Sequence, residues 1–186
     1  MKRWPASAAL CIFLVFIDQF SKAMASVRLP GRGYFPLIGD ILGFEYVENT
    51  GAAFGIFQNK QWLFIISSLL IFAAAVYVIV RLPYSGRFKA VHLLLVFLVS
   101  GAIGNLADRL RLGYVVDFIY FKLINFPVFN IADSYIVVSV IVFIALILFY
   151  YSDEELEHMI NSFGTAGGAI ARGADGSGEG DGDAER

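Results

Sequence analysis

Charge is what this sequence has least of. Of its 186 residues only 16% are Asp, Glu, Lys or Arg, against 58% that are hydrophobic, and the mean hydropathy is +0.70. A soluble domain carries about 25% charged and about 45–50% apolar residues. One core built from a chain of this length cannot enclose so large an apolar excess, so the remainder must face lipid. Cysteine is nearly absent as well. Cys11 stands alone, which excludes an intramolecular disulfide, and with only two histidines beside it a zinc site lacks ligands. No basic block interleaved with aromatics is present, so no nucleic-acid partner is expected. No cofactor and no metal is expected either.

The little charge there is falls unevenly. Residues 153–186 hold nine acids and two bases, whereas residues 1–152 hold seven acids and twelve bases. The overall −2 is therefore an average over two unlike parts. Within the first part, four segments have the roughly 20 mostly apolar residues that a membrane span needs. They run from about Trp4 to Ala25, Trp62 to Val80, Ala90 to Ala107, and Asn130 to Ser152. The first begins like a signal peptide, with Lys2 and Arg3 before an apolar run. Cys11 even invites a comparison with a lipoprotein signal, but Leu10 stands where a small residue is needed and the apolar run continues past the cysteine, so a retained helix is expected. Lys2, Arg3, Arg81, Arg87 and Lys89 flank the ends that should be cytoplasmic, and an even number of spans returns the C-terminus to the same side.

The fold class expected is thus an all-α membrane protein of four transmembrane helices. The loops over about 27–61 and 108–129 are left to form extracytoplasmic structure. Phe44-Glu45-Tyr46 alternates apolar and polar, and glycines at 39, 43, 51 and 55 punctuate its surroundings, which reads as a small β platform at the interface. Residues 1–152 form the membrane domain, 153–163 continue helix 4 into water, and 164–186 form an acidic, glycine-rich tail whose composition supports no packed structure.

Ionisable groups inside a membrane are costly and mark function by default. Asp18 and Lys22, four residues apart on the first helix, share a face and can pair. An interfacial ion pair that ends the helix, with Lys22 reaching outward, explains them equally well. Val47 to Gly55 reads VENTGAAFG, small residues directly after Asn49 and Thr50. This is either a place where backbone approaches a ligand closely or a tight turn into the second helix. Gly101 to Leu110 reads GAIGNLADRL, a small-residue face suited to close helix packing, followed by Asn105, Asp108 and Arg109. Asp108 and Arg109 are most simply a charged pair that fixes the helix end. Asp117 stands alone among apolar neighbours in VVDFIYF, and Asn130 and Asp133 sit at the start of the fourth helix, where the dipole favours negative charge. Their common location counts for more than any one of them. In this topology every one of these polar residues lies at the outer interface or just inside it. Two carboxylates brought together there share a proton, and such a pair can hydrolyse an amide by general acid–base chemistry.

Five blocks in order carry a resemblance to the bacterial lipoprotein signal peptidases, signal peptidase II, over about residues 4–151. They are DQFSK from Asp18, NTGAAFG from Asn49, GNLADR from Gly104, VVDF from Val115 and FNIADS from Phe129. The resemblance implies an aspartic endopeptidase that removes the signal peptide of diacylglyceryl-modified prolipoproteins, cutting before the lipidated cysteine. It implies that Asp117 and Asp133 are the catalytic pair. Asp18, Lys22, Asn49, Gly51, Asn105, Asp108, Arg109 and Asn130 would position substrate or support the site. The partners implied are lipid-modified prolipoproteins and membrane lipid, the enzyme being a monomer in the bacterial cytoplasmic membrane with its site at the outer face. A small proton-coupled transporter also carries intramembrane acids, but it usually places its key acid near the bilayer centre, whereas here they cluster at one face. A non-enzymatic scaffold is a third class.

Overall fold

The computed structural model describes residues 3–51, 60–84 and 86–174, with side chains through residue 163. Four helices long and apolar enough to cross a membrane occur in the expected places: α1 (Arg3–Arg28), α2 (Gln61–Arg81), α3 (Lys89–Leu112) and α4 (Ile131–Phe149). α3 is central and packs against the other three. Half of its apolar span is buried, compared with 11% for α2 and for α4, whose remaining surface is large apolar side chains such as Leu70, Ile141 and Leu148. Such a surface is suited to lipid rather than water.

The helices approach closely where their side chains are smallest. A Cβ added at Gly101 would lie 2.5 Å from the Ala132 carbonyl oxygen, and one at Gly104 would lie 2.5 Å from Asp18 Oδ2. These two glycines therefore let α3 touch both α1 and the start of α4 at one level, which draws polar groups of three helices together. α3 ends cleanly at Gly113, a left-handed C-cap (φ 84°) whose N–H donates to Arg109 O at 3.2 Å.

Beyond that end lies a three-stranded antiparallel sheet in the order β1 (Phe35–Ile38), β2 (Leu42–Asn49) and β3 (Val115–Tyr120). The expected platform is present, and its third strand is VVDFIY, which a pattern of apolar and polar faces could not reveal because residues on both of its faces are buried. Val47 pairs with Asp117 and Asn49 with Val115, and Ile131 at the start of α4 packs against the apolar cluster that holds Val116 and Phe118 of β3. Phe129 bridges to Ile119 and steers the chain into that helix.

One expectation fails at the opposite end. α4 does not continue into water. It stops at Phe149, and a separate helix, α5 (Asp153–Ala174), starts after a break. Ser152 and Glu155 form a capping box, Glu155 N–H donating to Ser152 Oγ (3.3 Å) and Ser152 N–H to Glu155 Oε2 (3.0 Å). α5 folds back so that Met159 is buried with Leu82, Phe88, Val91 and Tyr151. It also runs into the segment expected to be unstructured from Gly164, since alanines and Ile170 lie between the glycines up to residue 174. Residues 175–186 lie outside the described residues, as do residues 52–59, which hold most of the NTGAAFG block and its Gly55.

Candidate active site

The polar residues of the five blocks converge where α1, α3, β3 and α4 meet. Asn130 is the N-cap of α4, and its Oδ1 accepts the Asp133 N–H at 2.9 Å. Asp133 reciprocates, its Oδ2 accepting the Asn130 N–H at 3.2 Å. This capping box fixes Asp133 at the helix start, as the sequence implied. Asn105 Nδ2 donates to the other oxygen, Asp133 Oδ1, at 2.7 Å. Across the site, Asp117 Oδ1 accepts from Asn130 Nδ2 at 2.6 Å and Asp117 Oδ2 from Asn49 Nδ2 at 2.8 Å. Every oxygen of the two carboxylates thus receives one N–H. Asn130 and Asn105, themselves joined at 3.1 Å, link the two acids.

Asp117 is 1% exposed. Burial, and then the charge of Asp133, push its carboxyl up to about 7, against the opposing effects of the Asn49 and Asn130 hydrogen bonds and of Lys22. A carboxyl titrating near neutrality beside a second carboxylate is suited to exchange a proton with water.

Behind the two acids stands a buried ionic cluster. Lys22 Nζ is 2.9 Å from Asp18 Oδ2, 3.0 Å from Asp108 Oδ2 and 2.9 Å from Asn105 Oδ1. Asp18 Oδ1 accepts the Ala132 N–H at 3.0 Å, so a residue of α1 helps cap α4 beside Asp133. Two simple readings of these residues are therefore corrected. Asp18 and Lys22 do not end α1, which continues to Arg28, and Lys22 does not reach outward, being 3% exposed. Asp108 pairs with Lys22 rather than with Arg109, because adjacent helical residues point about 100° apart. Asp108 turns inward and also accepts the Val116 N–H at 3.3 Å, while the guanidinium of Arg109 lies 4.7 Å from the centre of the Phe64 ring.

Asp117, Asp133, Asn49, Gly51 and Arg109 all line one cavity of about 640 Å³, whose remaining wall is mostly apolar, from Phe64 of α2, Phe121, Ile124, the 126–129 segment and the 136–138 face of α4. Gly51 is buried and its N–H donates to Asn49 Oδ1 at 2.9 Å, which turns the Asn49 Nδ2 toward Asp117. Two participants were not singled out from the sequence. Gln19 Nε2 lies within hydrogen-bond distance of Gly104 O (3.1 Å), Asp108 Oδ1 (3.0 Å) and Asp18 Oδ2 (3.2 Å). It was findable as a further polar residue in the apolar run of α1. Phe64 carried no signal, since an aromatic on an apolar helix resembles any lipid-facing residue. Among the described residues no three His, Cys, Asp or Glu side chains gather as a metal's ligands would.

Known proteins resemble this chain over most of its length. The family described as signal peptidase (SPase) II matches residues 10–149. A protein of Caldanaerobacter subterraneus subsp. tengcongensis named lipoprotein signal peptidase is 46% identical over 138 residues, which cover 74% of this chain and 92% of that protein. One of the same name from Streptococcus pyogenes serotype M5 is 40% identical over 144 residues, covering 77% and 91%. A solved structure described as a bacterial membrane enzyme superposes with a TM-score of 0.70 at 31% identity, over 80% of this chain and 96% of its own. A match that runs from the first span to the last, through all the residues that gather at the cavity, leaves one conclusion: the chain belongs to the signal peptidase II family.

Proposed function

We propose that this protease is an aspartic endopeptidase that removes the signal peptide of diacylglyceryl-modified prolipoproteins, with Asp117 and Asp133 as its catalytic pair. The observation that carries this reading is the pairing itself. Two carboxyl groups on different elements line one cavity, and Asn130 and Asn105 tie them together. The pair shares one proton and titrates as a unit. Its ionised member takes a proton from a water as that water's oxygen bonds to the scissile carbonyl carbon. Its protonated member gives its proton to the carbonyl oxygen. The tetrahedral adduct then collapses: the proton taken from the water passes to the leaving nitrogen of the lipidated cysteine, the C–N bond breaks, and one hydroxyl of the adduct returns a proton to the second carboxylate, which restores the pair.

The mostly apolar wall of the cavity suits a substrate whose signal helix and acyl chains already lie in lipid. Asn49, Gly51 and Arg109, which share that wall with the acids, position the substrate, while Asp18, Lys22, Asn105, Asp108 and Asn130 hold the pair from behind. The distribution of Lys and Arg supports cytoplasmic termini and a site at the outer face of the bacterial cytoplasmic membrane. A transporter reading has no support in the family to which the chain belongs.

The test is release of signal peptide from a lipidated precursor by purified protein without added metal or nucleotide. Wild type should cleave and Asp133→Asn should not. Cleavage by Asp133→Asn at the wild-type rate would overturn the assignment. For topology, Arg32→Cys in a Cys11→Ser background should label only from outside the cell, and labelling solely from the cytoplasm would invert the proposed orientation.

A further inference from the structure

Lys22 is buried too deeply for a residue that merely anchors a helix end, and its three N–H groups meet three acceptors: Asp18 Oδ2, Asp108 Oδ2 and Asn105 Oδ1. The third of these is not an acid. An ammonium group donates and cannot accept, so an amide beside it has only one favourable orientation, with its oxygen toward the lysine. With Asn105 Oδ1 held there, its Nδ2 is turned to Asp133 Oδ1 at 2.7 Å. The same oxygen also receives Asn130 Nδ2, whose group bonds Asp117 Oδ1 as well. One positive charge on α1 thus reaches both acids through a single amide, directly at Asp133 Oδ1 and by way of Asn130 at Asp117 Oδ1. We propose that Lys22 is a positioning residue of the acid pair, acting through Asn105, an inference that rests on the Asp117–Asp133 reading above.

The charged and titratable groups facing the pair are Asp18 and Lys22 from α1, Asp108 and Arg109 from α3, and the two acids themselves from β3 and α4. Lys22 contributes positive charge to this set. Removing it raises the pH at which Asp117 releases its proton, because the ionised form loses a favourable neighbour. A residue that only neutralised buried acids for the sake of folding would act differently. Its loss would be made good by removing one of those acids.

The experiment compares Lys22→Met, Lys22→Met with Asp108→Asn, Asn105→Leu, and Lys22→Met with Asn105→Leu, each measured per folded molecule on a lipidated precursor. Lys22→Met should lower kcat by about tenfold or more (about 1.4 kcal/mol in barrier), with little change in KM, and should move the pH–rate profile to higher pH. Lys22→Met with Asp108→Asn keeps the net charge of the cluster, so it should recover folded yield while kcat stays low. It serves as the test if Lys22→Met alone does not fold. On the Asn105→Leu background, Lys22→Met should cost little more, since one residue acts through the other. Recovery of kcat in the Asp108→Asn combination, or full additivity with Asn105→Leu, would overturn the proposal. Asp117→Asn and Asp133→Asn are assayed alongside. If either stays active the pair itself is misassigned, whereas inactive acid variants with an unaltered Lys22→Met enzyme would sink only the role of Lys22.

Discussion

At one end of the bundle, Asp18, Lys22, Asn105, Asp108, Asp117 and Asn130 are buried side by side, and each of them takes part in a hydrogen bond or an ion pair with a neighbour. At the other end, Leu82, Phe88, Val91, Tyr151 and Met159 make an apolar cluster in which Tyr151 donates to Arg87 O at 3.1 Å and the Phe88 ring stacks on His158. Both ends hold helices together, but by different means. The apolar end is tolerant, because contacts there add up over many atoms and one loss is local. The polar end is not, because removing one partner strands another in a low dielectric. The proposed acid pair lies at the end where these groups are already committed to neighbours. Substitutions there should disturb catalysis, whereas those at the apolar end should disturb stability alone.

The largest effect that separates the two ends should come from the acids. Asp117→Asn and Asp133→Asn should each lower cleavage by about 10²–10⁴-fold or more, with folded yield and precursor binding preserved. The double variant should be no worse than either single one, because the pair acts as a unit. Asp108→Asn should instead reduce folded yield and leave residual cleavage in the molecules that fold. A fully active Asp117→Asn enzyme would erase the contrast between the ends.

Protonation gives a second handle on the polar end. The Asp117 carboxyl, raised from 3.8 to about 7, holds its proton in the folded protein through a range where the unfolded chain has released it. Its contribution to stability is complete below pH 3.8, is lost as pH rises toward 7, and is flat above that. Unfolding in detergent should therefore show stability falling by no more than about 1.4 kcal/mol per pH unit across that window, and Asp117→Asn should flatten the slope. A slope unchanged in the variant would assign it to another group.

Packing comes next in size. Gly104→Ala drives a methyl toward Asp18 Oδ2, and Gly101→Ala drives one toward the Ala132 carbonyl. Each should cost about 1–3 kcal/mol, read as a lower Tm, and Gly104→Ala should also slow cleavage because Asp18 caps α4 beside Asp133. At the apolar end, Met159→Ala should cost about 2 kcal/mol and leave cleavage per folded molecule unchanged. Slower cleavage there would show that α5 reaches the site through α2, where the Tyr77 hydroxyl donates to Phe163 O at 3.2 Å. Truncation after Phe163 should have the smallest effect, within about twofold in rate (about 0.4 kcal/mol).

Legibility in the sequence also differed between the ends. Asp18, Lys22 and Asp133 could be found because a charge in an apolar run is costly and hence rare. Asp117 stood out for the same reason, although the strand that carries it did not. The break after Phe149 was legible in principle, since Ser152 and Glu155 have capping-box spacing, but an apolar helix followed by acids reads just as readily as one that leaves the membrane. Phe64 was not legible at all.

Composition and periodicity alone determined four spans, a small sheet and the end of the bundle that holds the polar residues. These follow from the free energy of transferring side chains to lipid and from the fixed periods of helix and strand, both of which are local along the chain. Only the tertiary structure decided the partners. Lys22 joins Asn105 across 83 residues, and Asp18 joins the Ala132 backbone across 114. Asp108 turns away from its neighbour Arg109 to meet Lys22. The physical reason is that a hydrogen bond needs its atoms within about 3 Å, and that proximity depends on how closely α1, α3 and α4 approach at Gly101 and Gly104, which no stretch of sequence read by itself contains.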